Sequence, residues 1–147
     1  MTKVEELHSA VKRGDTATMT ALLEQDRGLA NSVSATDPRR TYPFHVAAEF
    51  GRADAARMLL AYGADLTLLD AENHAIALCW AAFFGRPAVV AVLLEAGSEP
   101  SQRNKHGLTP LGCALGGIEG RWRQFSNATI EDWQAAAATI RAYSGTE

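Results

Sequence analysis

The feature that most constrains this fold is an internal repeat with a period of 33 to 34 residues. One segment of small and apolar residues recurs three times, and its alanines Ala47, Ala81 and Ala114 are 34 and 33 positions apart. A second, leucine-containing segment recurs with its glycines, Gly63 and Gly97, again 34 positions apart. Self-similarity at this period is typical of stacked units that bury a continuous core between neighbours. We therefore expect a solenoid.

Each unit is predicted to hold two short amphipathic helices. A proline such as Pro43 begins the first helix, because the N–H that proline lacks would have no partner there. The second helix, over 52–62 in one unit and 87–96 in the next, has its apolar residues on one face. Gly63 and Gly97 are expected to end these helices, since glycine adopts the left-handed cap conformation at little cost.

The two ends of the chain depart from the period and are predicted to be caps. Residues 1–31 carry more charge, and a long turn follows them at 32–41. Near the other end, Gly116–Ser126 is predicted to be an insertion between the two helices of the last unit. A final helix over 130–143 is expected to begin at an N-cap threonine and to bury one face. That face consists of Trp133, Ala136, Ala137 and Ile140.

The repeated segments resemble the ankyrin repeat. Pro43-Phe44-His45-Val46-Ala47-Ala48 and the later Gly63-Ala64-Asp65 follow the usual pattern, Thr-Pro-Leu-His-x-Ala-Ala-x-x-Gly and then Gly-Ala-Asp. The resemblance runs from about Leu7 to Leu115, although Ile76-Ala77 replaces Thr-Pro and Gly112 replaces the histidine. It implies one all-α domain over 1–147, an ankyrin-repeat solenoid. Four helix-turn-helix repeats are expected at about 4–34, 35–69, 70–103 and 104–143, with the first and last as caps.

The same resemblance implies a protein-binding module, an adaptor or an inhibitor, that binds another protein through a concave face and hairpin tips. Mapped residue by residue, that surface consists of Arg40, Tyr42, Phe50, Tyr62, His74, Phe83, Phe84, Lys105 and His106. Its three phenylalanines are costly to leave in water and are the kind of residue that anchors an interface. The alternative is that each phenylalanine packs as ordinary core. Trp80 faces the core in the family and is not counted.

The predicted insertion supplies a second candidate surface. Arg121 and Arg123 flank Trp122, and together they could grip an acidic or aromatic partner. The alternative is that Trp122 only covers the exposed end of the solenoid. A small-ligand binder or an enzyme with a pocket near Gly116–Ser126 is the rival function.

No pattern in the chain predicts catalysis, a cofactor or a metal site. His45 occupies the family position whose side chain links neighbouring loops, which is a structural role. Cys79 lies at the equivalent place one repeat later, about 10 Å away by helix packing distance, so we expect neither a His45–Cys79 pair nor a Cys79–Cys113 disulfide. Gly112–Gly120 lacks the Gly-Lys-Ser/Thr ending of a phosphate-binding loop. The chain is therefore expected not to be an enzyme.

Composition narrows the partners further. The chain is 47% hydrophobic and 21% charged, which is typical of a globular protein, and its net charge of −3 gives no general affinity for nucleic acid or anionic lipid. Two cysteines are too few for a disulfide framework, and no signal peptide or membrane span is visible. We expect a cytoplasmic monomer.

Overall fold

The computed structural model describes residues 1–144, which form eight α-helices in four successive pairs. The pairs are α1 (Lys3–Arg13) with α2 (Thr16–Gln25), α3 (Pro43–Phe50) with α4 (Ala53–Ala61), α5 (Ala77–Phe83) with α6 (Pro87–Glu95), and α7 (Pro110–Ile118) with α8 (Ile130–Ser144). Short 3₁₀ turns lie at Arg27–Asn31 and Arg123–Phe125. There is no β-strand in this range, so the predicted all-α solenoid is confirmed.

The pairs stack in chain order. The first helices pack in the row α1, α3, α5, α7, and the second helices in the row α2, α4, α6, α8. Alanines such as Ala47, Ala48, Ala81 and Ala82 are completely buried, and their small side chains let neighbouring helices approach closely. The buried side chains of all four pairs form one continuous core, as expected for units that cannot bury their apolar faces alone.

Local sequence sets the helix ends. Thr2 and Asp15 cap α1 and α2 by accepting the N–H of Glu5 at 3.2 Å and of Thr18 at 3.1 Å. Gly63 and Gly97 follow the second helices in left-handed geometry, with φ of 87° and 101°. The predicted role of both glycines as helix ends is confirmed.

The hairpins between repeats are held in line by side chains and by backbone bonds. Each tip has one residue with positive φ, namely Arg40, His74 and Gly107. Each tip is also braced by a side-chain oxygen that accepts a backbone N–H, supplied by Asp37, Asp70 and Asn104. The N–H of Ala71 donates to the Arg39 carbonyl at 2.8 Å, and the N–H of Lys105 to the Asn73 carbonyl at 3.0 Å. Successive hairpins are thereby fixed to one another.

In the last repeat, the connection between the two helices is shorter than predicted. Helix α7 runs through Gly116 and Gly117 to Ile118, so the connection begins at residue 119 and not at Gly116. Glycine disfavours helix, but here its missing side chain is required. A Cβ on Gly116 would overlap the Trp122 ring, and one on Gly117 would overlap the Trp133 ring. Tertiary packing of two tryptophans therefore outweighs the local propensity.

The final helix matches its prediction. The Thr129 N–H donates to Asp132 at 2.9 Å, and the Asp132 N–H donates to the Thr129 hydroxyl at 3.2 Å, which is a capping box. All four residues predicted to face the core, Trp133, Ala136, Ala137 and Ile140, are at most 1% exposed. Helix α8 packs on α6 and α7.

Candidate binding groove

A cavity of about 480 Å³ lies between the hairpins and the first helices of the third and fourth repeats. Its floor and walls are mainly apolar, formed by Trp80, Phe83, Phe84, Leu108, Trp122 and Phe125. Its polar lining consists of Arg39, Glu49, Glu72, Asn73, Asn104 and His106. We call this cavity the aromatic pocket. A concave site with mostly apolar walls and a few polar groups is the usual form of a binding site.

The wall formed by Phe83 and Trp122 depends on the glycines of α7. Phe83 is half-buried in the last turn of α5, and Trp122 stacks on it with ring centroids 4.9 Å apart. The Trp122 indole lies on Gly116 and donates to the Cys113 carbonyl at 3.1 Å. Phe125 extends this wall at 6.1 Å from Phe83 and is 61% exposed, an unusual exposure for a phenylalanine.

Trp80 forms the floor of the aromatic pocket. It is 4% exposed, and its indole N–H donates to the buried carboxylate of Asp70 at 3.0 Å. Its ring packs against His45 at 5.1 Å and against Phe84 at 5.8 Å. Trp80 is therefore core, as expected from the family pattern, but it also presents a surface to the pocket.

Arg39 forms the charged corner of the pocket. Its guanidinium bonds to Asp37 at 2.9 Å and to Glu49 at 3.1 Å, and it lies over the Trp80 ring at 4.9 Å. Hydrogen bonds from Arg39 lower the pKa of Asp37, and the hydrogen bond to Asp37 is the main reason that the pKa of Arg39 is raised. Glu72, in contrast, is exposed and has no ion-pair partner among residues 1–144.

Cys79 and Cys113 also line the aromatic pocket, and both are buried and free. The adjacent Cys113 thiol, together with burial, raises the pKa of Cys79. The separation expected from helix packing was wrong for this pair, because the two residues are not equivalent in the repeat. Cys79 is three positions after the N-cap Ile76, whereas Cys113 is four positions after the N-cap Thr109. The offset brings the thiols together, and both cysteines are free in the structure.

A second, more open concavity of about 720 Å³ lies beside the first two repeats. Phe50 lines it, half-buried, with the Lys12 ammonium 5.2 Å from its ring centroid. Arg39 and Glu49 line both concavities, so the two are continuous. We call the joined surface the binding groove. The structure thus places Phe50 in the same groove as Phe83 but not in the same pocket.

The remaining residues predicted for the concave face are dispersed. Arg40, His74 and Lys105 are exposed on the hairpins and line neither concavity, whereas His106 lines the aromatic pocket. Tyr42 is the N-cap of α3 and packs on His45. Of the three phenylalanines, Phe84 is 9% exposed and belongs to the core, so the alternative of ordinary packing applies to that one.

Tyr62 lies away from the groove, at the end of the second helix α4. Its hydroxyl donates to Glu24, and the Arg27 guanidinium lies over its ring at 4.9 Å. The nearest partners of Tyr62 thus come from the first repeat.

The two arginines of the last connection have partners of their own chain. The Arg123 Nε donates to the Gly117 carbonyl at 3.1 Å, and its Nη2 donates to the Ile118 carbonyl, so Arg123 caps α7. Arg121 pairs with Glu119 at 3.1 Å, and both side chains are largely exposed. Trp122 therefore contributes to the aromatic pocket without the flanking arginines beside it.

His45 makes the loop-linking bonds expected of its family position. Its Nδ1 accepts the Tyr42 N–H at 3.2 Å, and its Nε2 donates to the Ala75 carbonyl at 2.9 Å, which fixes the neutral tautomer. Burial lowers the pKa of His45 and supports that neutral form. Over residues 1–144, no group of three or more His, Cys, Asp or Glu side chains is arranged to hold a metal ion.

Among the residues that sequence reasoning missed are three that shape the aromatic pocket, Arg39, Trp80 and Phe125. Arg40 was predicted for the surface, but its neighbour Arg39 is the one that turns inward, and Asp37 two positions earlier was the available signal. Trp80 was not counted in the predicted surface. Its equivalents in the neighbouring repeats, Val46 and Cys113, are much smaller, and this size difference was the signal that part of the tryptophan reaches beyond the core. Phe125 carried no signal, because its position depends on how Trp122 packs.

The comparisons with known proteins agree with this architecture. Residues 7–104 match the family model for ankyrin repeats, in three copies. The chain belongs to the ankyrin-repeat family. Proteins of this family generally act as protein-binding modules and are typically scaffolds without catalysis.

A curated relative from Treponema pallidum (strain Nichols), named as an ankyrin repeat-containing protein, is 34% identical over 85 residues. That match covers 58% of this chain and 28% of the relative, so the chain spans well under a third of that protein's length. Between residues 1 and 144, none of the helices has both the length and the apolar character that crossing a bilayer requires.

Proposed function

We propose that this ankyrin-repeat chain is an adaptor or inhibitor that binds another protein through the binding groove, with the aromatic pocket at the centre of the contact. The observation that carries this proposal is the exposed aromatic wall, in which Phe125 is 61% exposed beside the stacked pair of Phe83 and Trp122. Aromatic side chains clustered in a concave, mostly apolar site are the usual anchors of protein interfaces.

The hairpin residues Arg40, His74, Lys105 and His106 are proposed as the rim of this contact. They stand beside the groove on tips that successive backbone bonds hold rigid, so little entropy is lost when a partner docks. Two free buried thiols support a reducing, cytoplasmic location for the protein. We expect a monomer, which light scattering would test.

The experiment is affinity capture from the native host with quantitative mass spectrometry. The bait variants are Phe125→Ala, which removes an exposed ring of the pocket, and Tyr143→Ala, which removes an exposed ring of α8. We expect a partner that wild type and Tyr143→Ala capture equally and Phe125→Ala captures at least about three-fold less. A partner held equally by all three baits would place the contact elsewhere, and circular dichroism checks that both variants fold.

A small ligand is the second candidate occupant, because about 480 Å³ falls within the 300–1,000 Å³ typical of small-molecule sites. A screen for ligand-induced thermal shift tests it. A compound that stabilises wild type but not Phe125→Ala would favour this alternative.

A further inference from the structure

The aromatic pocket differs from an ordinary apolar anchor site in its charges. The guanidinium of Arg39 is already shared by two carboxylates, Asp37 and Glu49. Glu72 adds a further carboxylate to the lining and has no cationic partner among the described residues. Carboxylates therefore outnumber cations in the lining of a site whose walls are aromatic rings.

The chain itself shows how this groove accommodates cations. In each of the two concavities a cation of the chain lies over an aromatic ring, Arg39 over Trp80 at 4.9 Å and Lys12 over Phe50 at 5.2 Å. Within residues 1–144, no cation is placed over Phe125, although that ring is largely exposed. The negative face of an aromatic ring attracts a cation, and the attraction grows as water is displaced.

On this basis we infer that the aromatic pocket receives an arginine side chain of the partner protein, with its stem against Phe83 and Phe125 and its guanidinium near Glu72. The inference rests on the proposed function and names the partner chemistry at the same site. An arginine satisfies both features of the pocket, because its aliphatic stem covers apolar surface while its planar head stacks on rings and bonds to carboxylates.

Other occupants satisfy only part of the site. A leucine or phenylalanine would fill the apolar walls but would leave the Glu72 carboxylate without a partner and with less water around it. A glutamate would meet like charge from Glu49 and Glu72. A lysine could lie over the rings but lacks the planar, multi-donor head that Arg39 uses to contact two carboxylates and a ring at once.

The test uses the full chain and capped pentapeptides of the form Gly-Gly-X-Gly-Gly, with X as arginine, lysine, leucine, phenylalanine or glutamate. The indole N–H resonances of Trp80 and Trp122 report on the pocket, while that of the fully buried Trp133, which donates to the Phe83 carbonyl, reports on the junction behind the pocket wall. We expect saturable shifts of the two pocket resonances with the arginine peptide, at least about five-fold tighter than with leucine or glutamate. Raising the salt from 0.05 to 0.5 M should weaken this binding.

Two variants with matched controls test the contacts. Glu72→Gln and Phe125→Ala should each weaken the arginine peptide about three-fold, whereas Glu95→Gln and Tyr143→Ala, which alter an exposed carboxylate and an exposed ring outside the pocket, should not. All four changes are at exposed positions, so the fold is expected to persist.

Equal or tighter binding of the leucine, phenylalanine, lysine or glutamate peptide would overturn the inference, as would arginine binding that neither pocket variant weakens. Absence of saturable shifts at millimolar concentrations of every peptide would overturn it too. If the peptides fail while Phe125→Ala still loses the captured partner, the proposed function stands and only the arginine assignment falls.

Discussion

Two junctions between repeats, the second with the third and the third with the fourth, satisfy an equivalent backbone carbonyl with different side chains. In each, a carbonyl in the last turn of the first helix accepts a donor from the following repeat. The Glu49 carbonyl accepts the Arg86 Nε at 3.0 Å, and the Phe83 carbonyl accepts the Trp133 Nε1 at 3.0 Å. The position of the acceptor is constant, and the donor changes.

The junction between the first and second repeats also has an arginine donor. The Arg52 Nε donates to the Lys12 carbonyl at 2.8 Å, and the side chain lies across Gly14, as that of Arg86 lies across Gly51. An arginine can leave its charged head partly in water at an internal junction. The donor from the fourth repeat is instead the apolar side chain of Trp133, which is 0% exposed.

The largest effect should come from removing the terminal donor. Trp133→Ala leaves a cavity between α6, α7 and α8 and is expected to lower the free energy of unfolding by about 3–5 kcal/mol. Urea denaturation followed by circular dichroism measures this loss. Trp133→Phe, which keeps a ring but leaves the Phe83 carbonyl without its donor, should cost less. Equal, small losses for both variants would contradict the view that this side chain holds the fourth repeat on the third.

Next in size is the requirement for glycine in α7. Gly117→Ala places a Cβ into the Trp133 ring and should destabilise by about 1–3 kcal/mol despite the better helix propensity of alanine. Gly112→Ala in the same helix is the matched control, because its Cβ would be 3.4 Å from the nearest side-chain atom, that of Leu108. That variant should be neutral or up to about 1 kcal/mol more stable. Comparing the thermal stability of the two variants separates the effect of side-chain packing from the effect of helix propensity.

These glycines also mark where sequence reasoning reaches its limit. The repeat period predicted the stacked helix pairs, and the four buried positions of α8 followed from their spacing. The end of α7 was wrong, because Gly116 and Gly117 indicate a break locally and only the packing of Trp122 and Trp133 reverses that indication. Helix propensity is a property of the local sequence. Whether α7 continues through its two glycines depends instead on packing against two tryptophan rings that lie further along the chain.

The candidate site was predictable to a similar degree. Phe83 and His106 were placed by their repeat positions and do line the aromatic pocket. The inward turn of Arg39 depends on its bond to Glu49, and the exposed ring of Phe125 lies 6.1 Å from Phe83. Neither contact has a periodic signature. A repeat pattern identifies equivalent positions, but the side chains that differ between repeats determine what the groove can bind.

An intermediate effect tests the internal junction. Arg86→Ala removes the donor to the Glu49 carbonyl and a bond to Asn127, and should cost about 1 kcal/mol. Arg86→Lys keeps the charge but not the Nε geometry, so it should recover only part of the loss. Combining Arg86→Ala with Trp133→Ala measures whether the two junctions are independent. A combined loss equal to the sum of the single losses would mean that they are.

The smallest expected effect is a dependence of stability on pH, which should differ between the first two repeats and the last two. Burial lowers the pKa of both His8 and His45, which lie in the first two repeats. The repeat position of His45 is occupied by Cys79 and Gly112 in the last two. A lowered histidine pKa means that below about pH 6.5 the unfolded chain binds protons that the folded chain does not. Stability is therefore complete above that pH and falls as the pH drops towards the lowered values.

Between pH 7 and pH 6 this loss should be less than about 0.7 kcal/mol for each histidine, and it should fall on the first two repeats. His45→Gln should flatten the dependence of unfolding free energy on pH. Hydrogen exchange, corrected for intrinsic rates, should speed up in α3 before α7. The range stays above pH 5.5, because Asp37, whose pKa is lowered, contributes only at more acidic pH. Uniform acceleration along the chain would show that the four repeats open as one cooperative unit, and that the arginine and tryptophan junctions transmit stability equally well.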